Sequence, residues 1–178
     1  MATLEAIETI YLESNEVSVQ FSSIPATYDA LQVRYSGRAR NMSTGYGIAL
    51  LRFGTGGAAV DTGSNYYRNH MRAVGTTLDI TGSYASTSIT PMMVTSAYEQ
   101  VNLYATCVAD IHNYAHPNKN TFVTFNRFTP TTPTGASEVG LGPGVWQSTA
   151  VVDSVFLKPN TGDWIRGSEF TLYGWNYT

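Results

Sequence analysis

Charge and cysteine are both scarce in this chain. Asp, Glu, Lys and Arg make up only 13 % of its 178 residues, about half the share of an ordinary soluble domain. Thr, Ser, Asn, Gly and Tyr fill the polar positions instead. A free-standing protein keeps itself soluble with a mixed charged surface, so the deficit fits a chain that spends its life packed against neighbours. The net charge is −3 and no block of cations occurs. The basic stripe of a nucleic-acid binder is missing, so no direct contact with DNA or RNA is expected. One cysteine, Cys107, leaves no intramolecular disulfide. It sits within an apolar alternation and reads as a small core side chain. No apolar run approaches the roughly 20 residues that cross a bilayer as a helix, so no membrane partner is expected. Met1 to Tyr11 carries Glu5 and Glu8 and no apolar run, unlike a secretory leader. The expected site of synthesis is a cytoplasm.

Helical periodicity is also missing, while alternation with a period of two recurs. Val17, Val19 and Phe21 share one face of a short strand. Leu31, Val33 and Tyr35 share another, opposite Gln32, Arg34 and Ser36. The run Ile48 to Phe53 is apolar apart from Arg52. Val101, Leu103, Ala105, Cys107, Ala109 and Ile111 form the longest alternation. Thr121 to Phe128, Ala150 to Leu157 and Phe170 to Trp175 complete the set. Turn formers separate these runs, at Gly54 to Gly57, Thr62 to Ser64, Pro117-Asn118 and Pro159 to Gly162. Short strands with turns between them indicate an all-β, antiparallel β-sandwich. With no linker, repeat or heptad segment, one domain over 1–178 is expected. Ser86 to Tyr98 fits a loop, a strand or a helical turn. Thr129 to Gly144, rich in Pro, Gly and Thr, reads as a long excursion.

Four sets of residues invite chemistry. Val60-Asp61-Thr62-Gly63-Ser64 matches the loop that carries one carboxylate of an aspartic protease dyad. With a single copy, the chain would have to dimerise to complete it. The same residues make a tight surface turn, and that reading is preferred. Asp110, His112 and His116 have the even spacing of one strand face, but Pro117-Asn118 ends the strand before the third ligand, so no metal is expected. Cys107 and His112 fall on opposite faces, and no Gly-x-Ser-x-Gly elbow is present. No catalytic residue and no cofactor are expected. Aromatic rings are plentiful, with twelve Tyr and three Trp. Tyr66, Tyr67, Trp146, Trp164 and Trp175 are candidates for stacking on a sugar or for lining a subunit interface, against the alternative that they fill the core.

Several stretches also follow one another in a familiar order. They are Phe21-Ser22-Ser23-Ile24-Pro25-Ala26-Thr27-Tyr28-Asp29-Ala30-Leu31, then Leu50 to Gly54, Asn65-Tyr66 and Ile111-His112-Asn113-Tyr114-Ala115. Ser148 to Val155 and Gly167-Ser168-Glu169-Phe170-Thr171-Leu172-Tyr173-Gly174 complete the series. Together they resemble small virion proteins of tailed bacteriophages, over about residues 6 to 175. The resemblance implies a jelly-roll-like sandwich and a structural, non-enzymatic role. Trp175 to Thr178 extends past the usual stop, and Gly54 stands where Asn is common. The expected function is a capsid decoration (cement) protein that bridges neighbouring capsid subunits as a homotrimer. The alternative is a tail-fibre or baseplate subunit that binds a host surface glycan. A dimeric aspartic protease through Asp61 is the remote third reading. The expected partners are the major capsid protein or tail proteins, and the expected location is the virion, assembled in the host cytoplasm.

Overall fold

The alternating runs build two facing sheets. The computed structural model describes residues 1–42, 46–57, 59–97, 101–130 and 137–177, with backbone only at 91 and 92. In chain order the strands are β1 (Thr3–Tyr11), β2 (Val19–Phe21), β3 (Ala30–Arg40), β4 (Tyr46–Gly54), β5 (Tyr66–Val74), β6 (Thr77–Ser86) and β7 (Ile89–Ser96). There follow β8 (Ala105–His112), β9 (Thr121–Thr129), β10 (Glu138–Trp146), β11 (Ser154–Pro159), β12 (Asp163–Trp164) and β13 (Glu169–Asn176). No helix lies among the described residues. The fold is an all-β sandwich, as the alternation predicts.

The larger sheet runs β1-β13-β3-β8-β9-β10-β5-β6, antiparallel throughout. The smaller one runs β2-β11-β4-β7. Strand β3 belongs to both. Its first eight residues pair with β8, and its end crosses over, with Arg38 and Ala39 pairing with β7 in parallel and Ala39 and Arg40 with β12. Inward positions alternate as the sequence requires. Leu31, Val33, Cys107, Ile111, Phe170 and Leu172 from the large sheet meet Phe21, Leu51, Phe53, Val155 and Leu157 from the small one, all nearly sealed from solvent. Burying each such Leu, Ile or Phe contributes about 1.5–3 kcal/mol.

Tyr114 ties together three segments that are distant in the sequence. Its hydroxyl donates to the Pro25 carbonyl at 2.7 Å and accepts the Tyr28 N–H at 3.0 Å. Its own carbonyl accepts the Val152 N–H, and the Ile24 N–H donates to the Asp153 carbonyl. The Tyr28 ring lies over Gly174, where any Cβ would collide with it. Strand β13 lies between β1 and β3, so the closing segment is a central strand.

The structure departs from the sequence reading in four places and decides between its alternatives in a fifth. Val17 is 57 % exposed and outside β2. The alternation from Val101 becomes strand only at Ala105, because Asn102 adopts a left-handed turn with φ of 71°. The run from Ala150 becomes strand only at Ser154, since the N–H groups of Val152 and Asp153 bond to Tyr114 and Gly54 across loops. The ambiguous stretch 86–98 contains β7, with Tyr98 outside the described residues. Much of the supposed excursion 129–144 is strand β10, whose inward glycines masquerade as turn formers. The rest, 131–136, lies outside the described residues.

Candidate functional site

Three of the five candidate aromatic rings are not at the surface. Tyr66, Trp146 and Trp164 are 0 %, 3 % and 0 % exposed. Trp164 packs edge-on against Phe170 with centroids 4.9 Å apart, and its indole donates to the Leu157 carbonyl. Tyr66 and Trp146 stack at 6.3 Å, and both lie against Phe53. Burial in the core removes these three from any sugar or partner surface. Tyr67 and Trp175 are half-buried. Trp175 tilts against Tyr177 at one end of the large sheet, while Tyr67 meets Tyr84 edge-on at 5.8 Å on its outer face.

The Asp61 loop is a structural turn. The Asp61 carboxylate accepts the Gly63 N–H at 2.7 Å, the Asn65 side-chain amide at 2.9 Å and the Trp146 indole N–H at 2.7 Å. Partial burial pushes its pKa up, but these three donors and the field of Arg52 outweigh that and hold it below the usual carboxylate range. Its lone pairs are committed to anchoring the loop against Trp146. Asp110 and His112 share the outer face of β8, as predicted. His116 has left the strand, and its Nδ1 accepts the Asn118 N–H. No group of three His, Cys, Asp or Glu that could hold a metal occurs among the described residues. Cys107 is buried, and burial raises its thiol pKa well above the ordinary value, so it is not a ready nucleophile.

What the sequence reading missed is the outer face of β9, β10, β5 and β6. Registers place Phe128, Val139, Ala73 and Leu78 in one row across these strands. Asn126, Leu141, Met71 and Ile80 form the next. A further row aligns Phe122, Val145 and Tyr67, with Tyr84 against Tyr67. Exposure is 47 % for Phe128, 57 % for Val139, 48 % for Leu141, 67 % for Ile80 and 64 % for Leu78. No charged side chain points outward from these rows. With strands about 4.8 Å apart and about 3.4 Å of rise per residue, they span on the order of 400 Å² in plan. That is within the size range at which an exposed apolar patch marks an interaction site.

Beyond β6 the sheet has no further strand among the described residues. This ten-residue edge carries neither Pro nor Lys, and its one charge, Asp79, pairs with Arg72 at 2.8 Å. The other edges are guarded in the usual ways. Strand β1 carries Glu5 and Glu8, and β2 is three residues long. Beside the open edge, Tyr67, Asn69, Tyr84, Pro143 and Val145 line a shallow pocket of about 140 Å³. Tyr84 is 82 % exposed.

No family model matches the chain, and no curated protein matches it. Among solved structures the chain is similar to the crystal structure of the VIP36 exoplasmic/lumenal domain in its Ca2+/Man3GlcNAc-bound form. That match has 9 % identity and a TM-score of 0.33, over 97 % of this chain and 85 % of the other.

Proposed function

We propose that this chain is a non-enzymatic structural protein of a tailed-phage particle, and that it works by packing the outer face of β9, β10, β5 and β6 against a second copy of itself. The observation that supports this reading is the uncharged apolar face ending on the unguarded β6 edge. Its roughly 400 Å² is about half of what each partner buries in a standard interface. That proportion suits the apolar centre of a contact whose rim is polar. Charge depletion and the ordered resemblance to phage virion proteins point the same way. Head decoration fits such a role, since bridging copies bury area between capsid subunits. A homotrimer remains the expected assembly.

Sedimentation of the purified protein tests the packing. The wild type should run as an oligomer. Leu141→Asp with Ile80→Asp should run as a folded monomer. A wild-type monomer at high concentration overturns the proposed self-packing. Copy number per particle tests the location, with hundreds expected for a head protein.

The exposed Tyr67–Tyr84 pair favours one second reading, a subsite for a host surface glycan. Aromatic rings flanked by Asn69 suit the apolar face and hydroxyls of a neutral sugar. A glycan array probed with wild type and Tyr84→Ala decides it. Sugar binding lost in the variant supports the subsite, and no binding by the wild type removes it.

A further inference from the structure

The face that turns inward from the β5–β6 hairpin is chemically the opposite of the outer one. Along β5, Tyr67, Asn69 and Met71 point out, while Arg68, His70 and Arg72 point in, towards β4 and β7. Two adjoining cavities of about 160 and 270 Å³ lie there, and both touch Ile48, Arg68 and Thr90. Arg72 and Arg127 line the first, and Arg52 lines the second. Four of the chain's ten cationic side chains therefore converge on one cleft. Among the described residues Asp79 pairs with Arg72, and Glu138 pairs with both Arg72 and Arg127. Arg52 donates to the Thr87 carbonyl. The Arg68 guanidinium makes no hydrogen bond or ion pair with any described residue. Positive charge therefore gathers in this cleft although the chain's net charge is −3.

Two buried polar atoms in the same cleft also lack a hydrogen-bond partner among the described residues. Thr90 Oγ1 is one, on a residue only 8 % exposed, and His70 Nδ1 is the other. Buried polar groups are nearly always satisfied. An orphan hydroxyl and an orphan imidazole nitrogen beside an unpaired guanidinium all favour the same kind of occupant, one that brings negative charge and acceptor oxygens. We propose that this cleft binds an oxoanion group, held by Arg68 with Thr90 and His70, either as free phosphate or sulfate or as the acidic group of a small saccharide. Serine and threonine hydroxyls beside Ile48 and Met93 give the cleft the mixed lining that such a ligand needs. The electrostatics agree. Burial and the field of Arg127 lower the Arg68 pKa, and burial with three arginines lowers that of His70 to about 4. An anion would relieve both.

Calorimetric titrations with inorganic phosphate, sulfate, glucuronate and glucose test this, with Tm measured alongside. The wild type should bind one oxoanion per chain, raise its Tm, and ignore glucose. Tighter binding of glucuronate than of phosphate would identify an acidic saccharide, and the reverse a free oxoanion. Arg68→Gln should weaken binding at least tenfold. In anion-free buffer it should melt at or above the wild-type temperature, because it deletes an unpaired cation. Thr90→Val should weaken binding several-fold. Arg166→Gln, at an exposed and distant site, should change nothing. The proposal is overturned if no anion binds saturably, if glucose binds as well as glucuronate, or if Arg68→Gln binds like Arg166→Gln. Oligomeric state is a separate measurement, so failure here leaves the packing proposal standing, and the converse holds as well.

Discussion

The two halves of the large sheet present very different outer faces to solvent. On β8, β3, β13 and β1 the outward side chains bond to one another. Gln32 donates to Asp110 at 2.6 Å, Arg34 donates to Gln32 at 2.6 Å, and Thr9 bonds Thr171 at 3.0 Å. The Arg34 guanidinium also lies 4.9 Å over the Tyr173 ring. On β9, β10, β5 and β6 the same pleat presents Phe, Val, Leu, Met and Ile without a charge. Charge is not absent from that half but inverted. Arg68, Arg72, Arg127 and Glu138 point inward, where an ordinary sandwich keeps apolar side chains. One half is finished for water, and the other has its polar chemistry inside and an apolar face outside. Backbone pairing is the same in both, so the division arises wholly from which residues occupy alternate positions.

The comparison can be broken most severely from inside. Glu138 is 1 % exposed and bonds both Arg127 and Arg72. Glu138→Ala takes the buried carboxylate from Arg127 and leaves Arg72 with Asp79, and urea unfolding should show a loss of about 3–5 kcal/mol. Removing the exposed Asp163, which pairs with Arg40 at 2.9 Å, should cost less than about 1 kcal/mol. Equal losses would mean that the buried cluster is not what supports the inverted half. Next comes the polar half. Gln32→Ala breaks the chain from Arg34 to Asp110 and should cost about 2 kcal/mol, with oligomeric mass unchanged. A change of mass would place the contact surface on the wrong half.

Mild acid should act on the inverted half through His70. The His70 pKa lies near 4, below the ordinary 6.5, because of burial and then Arg127, Arg68 and Arg72, with Asp79 opposing. A depressed histidine pKa means that the fold favours the neutral ring. Its contribution is complete above pH 6.5 and declines as pH falls towards 4. Unfolding midpoints between pH 7 and 4.5 should therefore fall less in His70→Gln than in wild type. Parallel declines would show that the ring does not titrate in this way. The smallest effect on stability is expected where the effect on assembly is large. Val139→Thr, on the exposed face, should shift stability by no more than about 0.5 kcal/mol while weakening self-association. A large loss of stability instead would show that the face is packed within the monomer.

Legibility in the sequence followed burial. Strands with one apolar face, such as β3 and β9, announce themselves through alternation. Strands β5 and β6 do not. Apolar Met71 and Ile80 point outward while cations point inward, so no apolar stripe marks a core side. The alternation of Arg68, His70 and Arg72 was a signal of period two, but of charge rather than apolarity. The hairpin that joins these strands turns on Gly75, at φ of 58°, the first position of a two-residue loop that takes glycine. A Gly-Thr pair is a weaker mark than Asn-Gly. Gly140, Gly142 and Gly144 hid β10 for a related reason, since glycine is read as punctuation. The cationic cleft was invisible because its arginines come from β4, β5 and β9, and only the folded registers assemble them.

Those three glycines have a consequence for how the surface can change. An added Cβ at Gly140 would meet Arg127, at Gly142 the Asn69 backbone, and at Gly144 the Ile89 side chain. The inward side of β10 is therefore closed to variation. Its outward side, at Val139, Leu141 and Val145, touches nothing the core depends on. One strand thus separates what must stay fixed from what can drift, residue by residue. A lineage could retarget this face to new neighbours through single substitutions, without relearning how to fold.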